Sequence, residues 1–150
     1  MADRLVKFMS HVDMVKIACV DSTDLVEKAR VTHKLNPTPT AALGRLLTMA
    51  ALMGGYIKEK EDKITLQILG DGPVGSILAT ATYGARVKGY LSEPLAEAEK
   101  TNEGKLNVGG IVGKGDLRVI KDIGLKEPYI GVVPLQTGEI AEDCILLCLF

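Results

Sequence analysis

Residues Gly70-Asp71-Gly72-Pro73-Val74-Gly75 spell G-x-G-x-x-G, and what flanks them decides between two unrelated architectures. A dinucleotide loop of that spelling needs a strand entering and a helix leaving, so that helix amides and glycine backbone can hold a pyrophosphate. A strand does enter. Ile64 to Leu69 sets Ile64, Leu66 and Ile68 on one face and Thr65 and Gln67 on the other. What leaves is a second strand, because Thr80 and Thr82 alternate with Ala79, Ala81 and Tyr83 before Gly84 closes the run as a turn. Pro73 offers no N–H to a phosphate and fixes φ as turns do. The stretch therefore reads as the turn of a strand-turn-strand unit. A nucleotide- or small-molecule-binding enzyme using Gly70–Gly75 stands as the alternative.

A length of 150 residues suits one domain, residues 1–150, with enough chain to bury a core. Nearly half the residues are hydrophobic and the formal charge is -1 with both signs interspersed, so no basic stripe points to nucleic acid or to an anionic membrane. The N-terminus turns polar by Ser10-His11 and lacks the apolar stretch of a secretory signal, which makes a cytoplasmic location the expectation. The longest uncharged apolar segment, Leu46 to Ile57, falls short of the roughly 20 residues that span a bilayer. It reads as part of a buried helix.

The first third reads as a hairpin feeding that helix. Met14 to Val20 is β-prone, Asp21-Ser22-Thr23-Asp24 has turn chemistry, and Leu25 to Leu35 supplies a return strand through Val26, Ala29 and Val31. The Asn36-Pro37-Thr38-Pro39-Thr40 break precedes a helix over Ala41 to Ile57, with Thr38 or Thr40 as N-cap, Gly54-Gly55 as stop and apolar residues nearly all round. Arg45, its one formal charge, reads as a snorkelling or paired side chain. Strands follow over Ile64–Leu69, Ile77–Tyr83 and Arg86–Leu91. Ser92-Glu93-Pro94 then caps a short polar helix, Leu95 to Lys100, and Gly104 to Gly115 forms a loop with a short strand or turn of helix. Two more strands, Leu117–Ile120 and Tyr129–Val133, flank a turn at Asp122–Gly124. Thr137 is the expected N-cap of a closing helix, with Glu139, Glu142 and Asp143 at its positive end. That helix runs into the all-apolar Cys144 to Phe150 without a stop signal, as if cut inside an element meant to be buried. The class is α+β, mixed sheets around a central buried helix.

No constellation for catalysis or metal emerges. There is no G-x-S-x-G elbow and no H-E-x-x-H. Gly113-Lys114-Gly115-Asp116 is superficially similar to a phosphate loop but lacks its spacing, and Asp116 replaces the hydroxyl. His11 and His33 fall on separate elements. Cys19, Cys144 and Cys148 form neither a C-x-x-C pair nor an even disulfide set. Cys19, on the face of Val15 and Ile17, reads as a buried small hydrophobe. Cys144 and Cys148 at i and i+4 fit core packing better than half of a zinc site.

An ordered set of motifs nevertheless resembles one family. Pro39-Thr40-Ala41-Ala42-Leu43-Gly44-Arg45-Leu46-Leu47, Leu66 through Gly75 and Arg86-Val87-Lys88-Gly89-Tyr90 are followed by Gly113-Lys114-Gly115, Val119-Ile120-Lys121-Asp122, Lys126-Glu127-Pro128-Tyr129 and Gly138-Glu139-Ile140-Ala141-Glu142-Asp143. Together they are similar to the thirty-three-kilodalton heat-shock family of bacterial redox-regulated chaperones. The likeness thins after Asp143. It implies an ATP-independent holdase core that binds unfolding client proteins, is not an enzyme and tends to form a homodimer. In that family a C-terminal module binds zinc through four thiolates in C-x-C and C-x-x-C, and those cysteines do not occur in this chain. The resemblance thus implies the N-terminal part of the core without the zinc and redox module, no cofactor in the chain itself, and a client-binding surface that the motifs do not locate.

Overall fold

The computed structural model describes residues 2–12 and 14–149, with the side chains of all of these except 146, 148 and 149. The fold is α+β. Among the described residues seven strands make two antiparallel sheets: a hairpin of β1 (Arg4–Met9) and β2 (Lys16–Asp21), and a five-stranded sheet ordered β5-β4-β3-β6-β7. The larger sheet contains β3 (Lys63–Gly70), β4 (Ser76–Thr82), β5 (Arg86–Leu91), β6 (Gly115–Asp122) and β7 (Tyr129–Pro134). The helices are α1 (Thr23–His33), α2 (Pro37–Gly54), α3 (Val108–Val112) and α4 (Ala141–Leu149).

Alternation in the strands sets the core. Leu66 and Ile68 of β3, Ile77, Ala79 and Ala81 of β4, and Leu117 of β6 are fully buried on one sheet face, while Thr65, Gln67 and Thr80 stay partly exposed on the other. Helix α2 lies across the inner face and buries Ala42, Leu43, Leu46 and Ala50 completely. Small residues let its neighbours approach: a Cβ at Gly44 would meet Val26 Cγ1 of α1 at 2.9 Å, and one at Gly54 would meet Ala81 Cβ of β4 at 2.8 Å.

Four expectations need correction. Leu25 to Leu35 is not a return strand but most of α1, and the hairpin partner of β2 is β1, with Val6 opposite Cys19 and Phe8 opposite Ile17. Tertiary caps favour the helix. The Asp3 carboxylate accepts from the N–H groups of Asp24 (2.8 Å) and Leu25 (2.7 Å), and Asp21 Oδ1 accepts from Thr23 N–H (3.1 Å), supplying acceptors that a helix start lacks. Lys34 in the left-handed region then ends it. Second, α2 starts at Pro37, before the expected Ala41, with Asn36 at the cap position; proline lacks only an N–H that the first turn leaves unpaired anyway.

Third, Leu95 to Lys100 is not helical. Six residues nucleate a helix poorly, and the Pro94 carbonyl accepts from Asn36 N–H at 3.0 Å, laying the segment against the start of α2 with Ala96 buried. Fourth, Thr137 does not cap α4. Asp143, fully buried, accepts from the N–H groups of Gln136 (2.7 Å), Thr137 (3.1 Å) and Ile140 (3.0 Å), so residues 136–140 fold into a turn and the helix begins at Ala141. In the terminal stretch Cys144 and Leu147 are buried and Ile145 is exposed. The Cys148 side chain and Phe150 lie outside the described residues.

Candidate functional site

The Gly70–Gly75 loop joins β3 to β4, and the amides of Asp71, Gly72, Val74 and Gly75 are taken. Asp71 N–H donates to Lys114 O at 2.9 Å, extending the β3–β6 register by one residue, while Gly72 and Val74 donate to Val112 O and Ile111 O, each at 3.0 Å. Gly75 N–H closes onto Gly72 O at 3.2 Å. A Cβ at Gly70 would lie 2.0 Å from Val112 O, so these glycines admit the backbone of α3 where a dinucleotide loop would admit phosphate. The second glycine tract is committed as well: Lys114 N–H donates to Asp71 Oδ1 at 2.7 Å, and Gly113 N–H to Gly109 O at 2.9 Å. Two loops that each look like an anion cradle satisfy one another.

The polar residues singled out by the sequence are placed separately. Arg45 is paired, reaching Glu139 Oε2 at 2.6 Å and Glu139 O at 2.9 Å, while Glu139 Oε1 accepts from Gly109 N–H at 3.0 Å. One carboxylate thereby ties α2, α3 and the approach to α4 together. His33 Nε2 donates to Gly89 O of β5 at 3.0 Å, and His11 is exposed at the hairpin tip. Cys19 is exposed, not buried: β2 turns its other face inward, so the face of Cys19, Ile17 and Val15 points outward. Among the described residues no three His, Cys, Asp or Glu side chains gather as a metal cluster, and Cys19 and Cys144 sit on separate elements. They do not fit a four-thiolate zinc site.

Apolar surface is what the fold leaves open. On the hairpin, Val6 and Phe8 lie opposite Cys19 and Ile17 on one exposed face, with Phe8 57% exposed, and Val12 and Met14 near the tip are more exposed still. The other face is anchored, for Lys7 Nζ donates to Gly55 O at 2.7 Å and sits 5.5 Å over the Tyr56 ring. The sequence reading missed β1, although Val6 and Phe8 alternate with Lys7. A groove of about 780 Å³ also runs along α2, lined by Val26, Leu35, Ala41, Met49, Leu52 and Leu106 among others. The sheet covers one side of α2, and α1 and β2 cover the other in part, leaving Ala41, Met49 and Leu52 partly exposed. Tyr129, Ile130 and Val132 of β7 are exposed too. Contiguous apolar surface of this kind marks interaction sites on folded proteins.

Among the described residues no helix is long and apolar enough to cross a membrane. The family model described as Hsp33 protein matches residues 3–145. Over 144 residues the chain is 49% identical to the 33 kDa chaperonin of Clostridium acetobutylicum, covering 95% of this chain and 48% of that protein. It is likewise 49% identical to the 33 kDa chaperonin of Caldanaerobacter subterraneus subsp. tengcongensis, again covering 95% of this chain and 49% of the relative. The crystal structure of the 33 kDa chaperonin, a heat shock protein 33 homolog, from Thermotoga maritima superposes with a TM-score of 0.87 at 39% identity, over 92% of this chain and 47% of that one. The chain spans about half the length of the curated relatives it matches.

Proposed function

The chain belongs to the Hsp33 protein family, and on that premise we propose that it acts as an ATP-independent holdase, binding unfolding proteins through exposed apolar surface and so preventing their aggregation. The observation that carries the reading is the apolar surface left open on a packed core: the outer hairpin face of Val6, Phe8, Ile17 and Cys19, and the groove along α2. Unfolding chains expose apolar side chains without fixed sequence, and burying such surface is worth about 25 cal/mol per Å² whatever its order. A holdase therefore needs accessible area more than a shaped pocket.

Residues 1–150 correspond in this reading to the N-terminal part of the chaperone core, one domain working in the cytoplasm and pairing as a homodimer. Redox control through zinc belongs to the family's four-cysteine module; the cysteines described here do not fit that site, and no step is assigned to them. The enzyme alternative loses its basis, because the amides of Asp71, Gly72, Val74 and Gly75 that it requires are bonded within the fold.

Light scattering from a thermally unfolding client tests the proposal. Equimolar addition of this chain, shown to be folded by circular dichroism, is expected to suppress the scattering without ATP. Unchanged scattering would reject the activity for this chain, and micromolar nucleotide binding by calorimetry would restore the enzyme reading.

A further inference from the structure

Of the four described non-glycine residues with positive φ, Ile140 alone is both β-branched and fully buried, with φ at +68°. A branched Cβ crowds the backbone in that region, and such strain persists only where the surroundings over-determine the conformation. Here they do. Asp143 accepts from the N–H groups of Gln136, Thr137 and Ile140, drawing the segment onto itself, while Glu139 fastens it to the body of the fold through Arg45 of α2 and Gly109 of α3. Gly138, also left-handed at φ +71°, seats against Gly109, where an added Cβ would lie 3.2 Å from the Gly109 Cα. The preceding Leu135 is held separately, its N–H donating to Gly115 O of β6 at 2.8 Å. The strained turn thus begins where the bonding of the sheet stops.

Helix α4 leaves directly from that turn. It packs against β7, β6 and α2, burying Cys144 and Leu147 and leaving Ile145 62% exposed. Ala141 and Cys144 border the groove along α2, and Leu147 borders a cavity of about 670 Å³ that Met53 and Val119 also line, so the helix is incompletely packed along its length. Nine residues are too few for a helix to persist alone, so α4 does not outlast its contacts. The sheet is held by other means: β3 is paired with both β4 and β6 from Lys63 to Leu69, and its Leu66 and Ile68 are fully buried. We propose that residues 136–140 form a strained latch, and that α4 opens on it as one unit while the five-stranded sheet stays folded. Opening breaks the Asp143 and Glu139 bonds and uncovers Ile140, Cys144 and Leu147. In return it relieves the left-handed strain at Ile140 and frees the backbone of the turn and the helix. Far less apolar surface is exposed than in global unfolding, which places the open form below the unfolded state in free energy. The latch is a property of the fold and stands whether or not the chain holds clients.

Buried Cys144 reports the opening, with exposed Cys19 as the internal reference. Iodoacetamide labelling of the native chain, read residue by residue by tandem mass spectrometry, gives the opening constant at Cys144, and hydrogen exchange at the Leu66 and Ile68 amides gives that of the sheet. The constant at Cys144 is expected to exceed that of the sheet by about tenfold or more and to rise less steeply with urea, since less surface is exposed. Asp143→Asn and Glu139→Gln should each raise Cys144 labelling several-fold and leave Cys19 labelling unchanged. A shared opening constant and urea slope for Cys144 and the sheet amides would overturn the latch, because α4 would then open only with the whole fold. Labelling of wild-type Cys144 as fast as Cys19 overturns it too, since the helix would not be closed. Faster opening at Cys144 that neither variant alters shows that the turn is not what holds α4, and also rejects the proposal. The wild-type comparison decides by itself if either variant fails to fold.

Discussion

Gly72→Ala distinguishes a structural loop from a ligand loop. A methyl group there would sit 2.3 Å from Ile111 O and 2.6 Å from the Val112 carbonyl carbon, whereas nonbonded carbons rest about 3.5–4.0 Å apart, so α3 must retreat by roughly 1 Å. Retreat is resisted from behind, because Val108, Ile111 and Val112 are fully buried. It also stretches the bonds from Gly72 and Val74 to those two carbonyls. Two hydrogen bonds at about 1 kcal/mol each, plus about 1–3 kcal/mol for overpacking, give a loss of about 3–5 kcal/mol. That is a large share of the roughly 5–15 kcal/mol by which domains are stable. Gly84→Ala is the control: its φ is +75° with nothing within 4 Å of the added methyl, so only left-handed backbone strain of about 1–2 kcal/mol applies. Urea unfolding of both variants measures the difference. If Gly72→Ala lies within about 0.5 kcal/mol of the wild type, the packing argument is wrong. If it instead abolishes a nucleotide affinity present in the wild type, the loop is a ligand site after all.

Asp143→Ala leaves three backbone N–H groups around a buried site without their acceptor and should cost about 3–5 kcal/mol in urea unfolding, while Asp143→Asn, which keeps one accepting oxygen, should cost less. Glu139→Ala cuts the tie between Arg45 and α3 in a half-exposed site, so a smaller loss of about 1–2 kcal/mol is expected, with Glu139→Gln intermediate because its amide oxygen can still accept from Gly109. The Asp21 carboxyl is held below its ordinary value, first by the Thr23 hydroxyl and then by the Thr23 N–H. Its stabilising share is therefore complete above the unfolded-state pKa and disappears as pH falls through the lower folded-state value. Melting temperatures taken from pH 6 downward should show wild type and Asp21→Asn converging in acid, and a constant gap would refute the coupling.

The sheet was legible in the sequence wherever alternation ran between clear turn residues: Ile64, Leu66 and Ile68 against Thr65 and Gln67 gave β3, and Ala79 and Ala81 against Thr80 gave the inward face of β4. The central helix was legible from composition. What failed depended on distant partners. Helix α1 owes its start to Asp3, some twenty residues away, and Leu25, Val26 and Ala29 fit a helical face as readily as a ragged strand. The Asp143 turn that delays α4 and the Asn36 bond that straightens residues 94–96 are likewise tertiary. The candidate surface was only half visible. Side-chain alternation shows that one face of a hairpin is apolar, but which face turns inward was settled by Lys7 and Leu5 meeting Gly55, and so Cys19 was assigned to the wrong side.

The central claim is that this folded core holds unfolded chains through open apolar surface. The direct measurement is fluorescence anisotropy of a labelled protein, in its native form and in its reduced, carboxymethylated form, titrated with the chain in the absence of ATP. Saturable binding of the unfolded form alone, weakened when Phe8→Ser and Ile17→Ser make the outer hairpin face polar, is the predicted result. Equal binding of both forms, or none of either by a chain that is demonstrably folded, would contradict it.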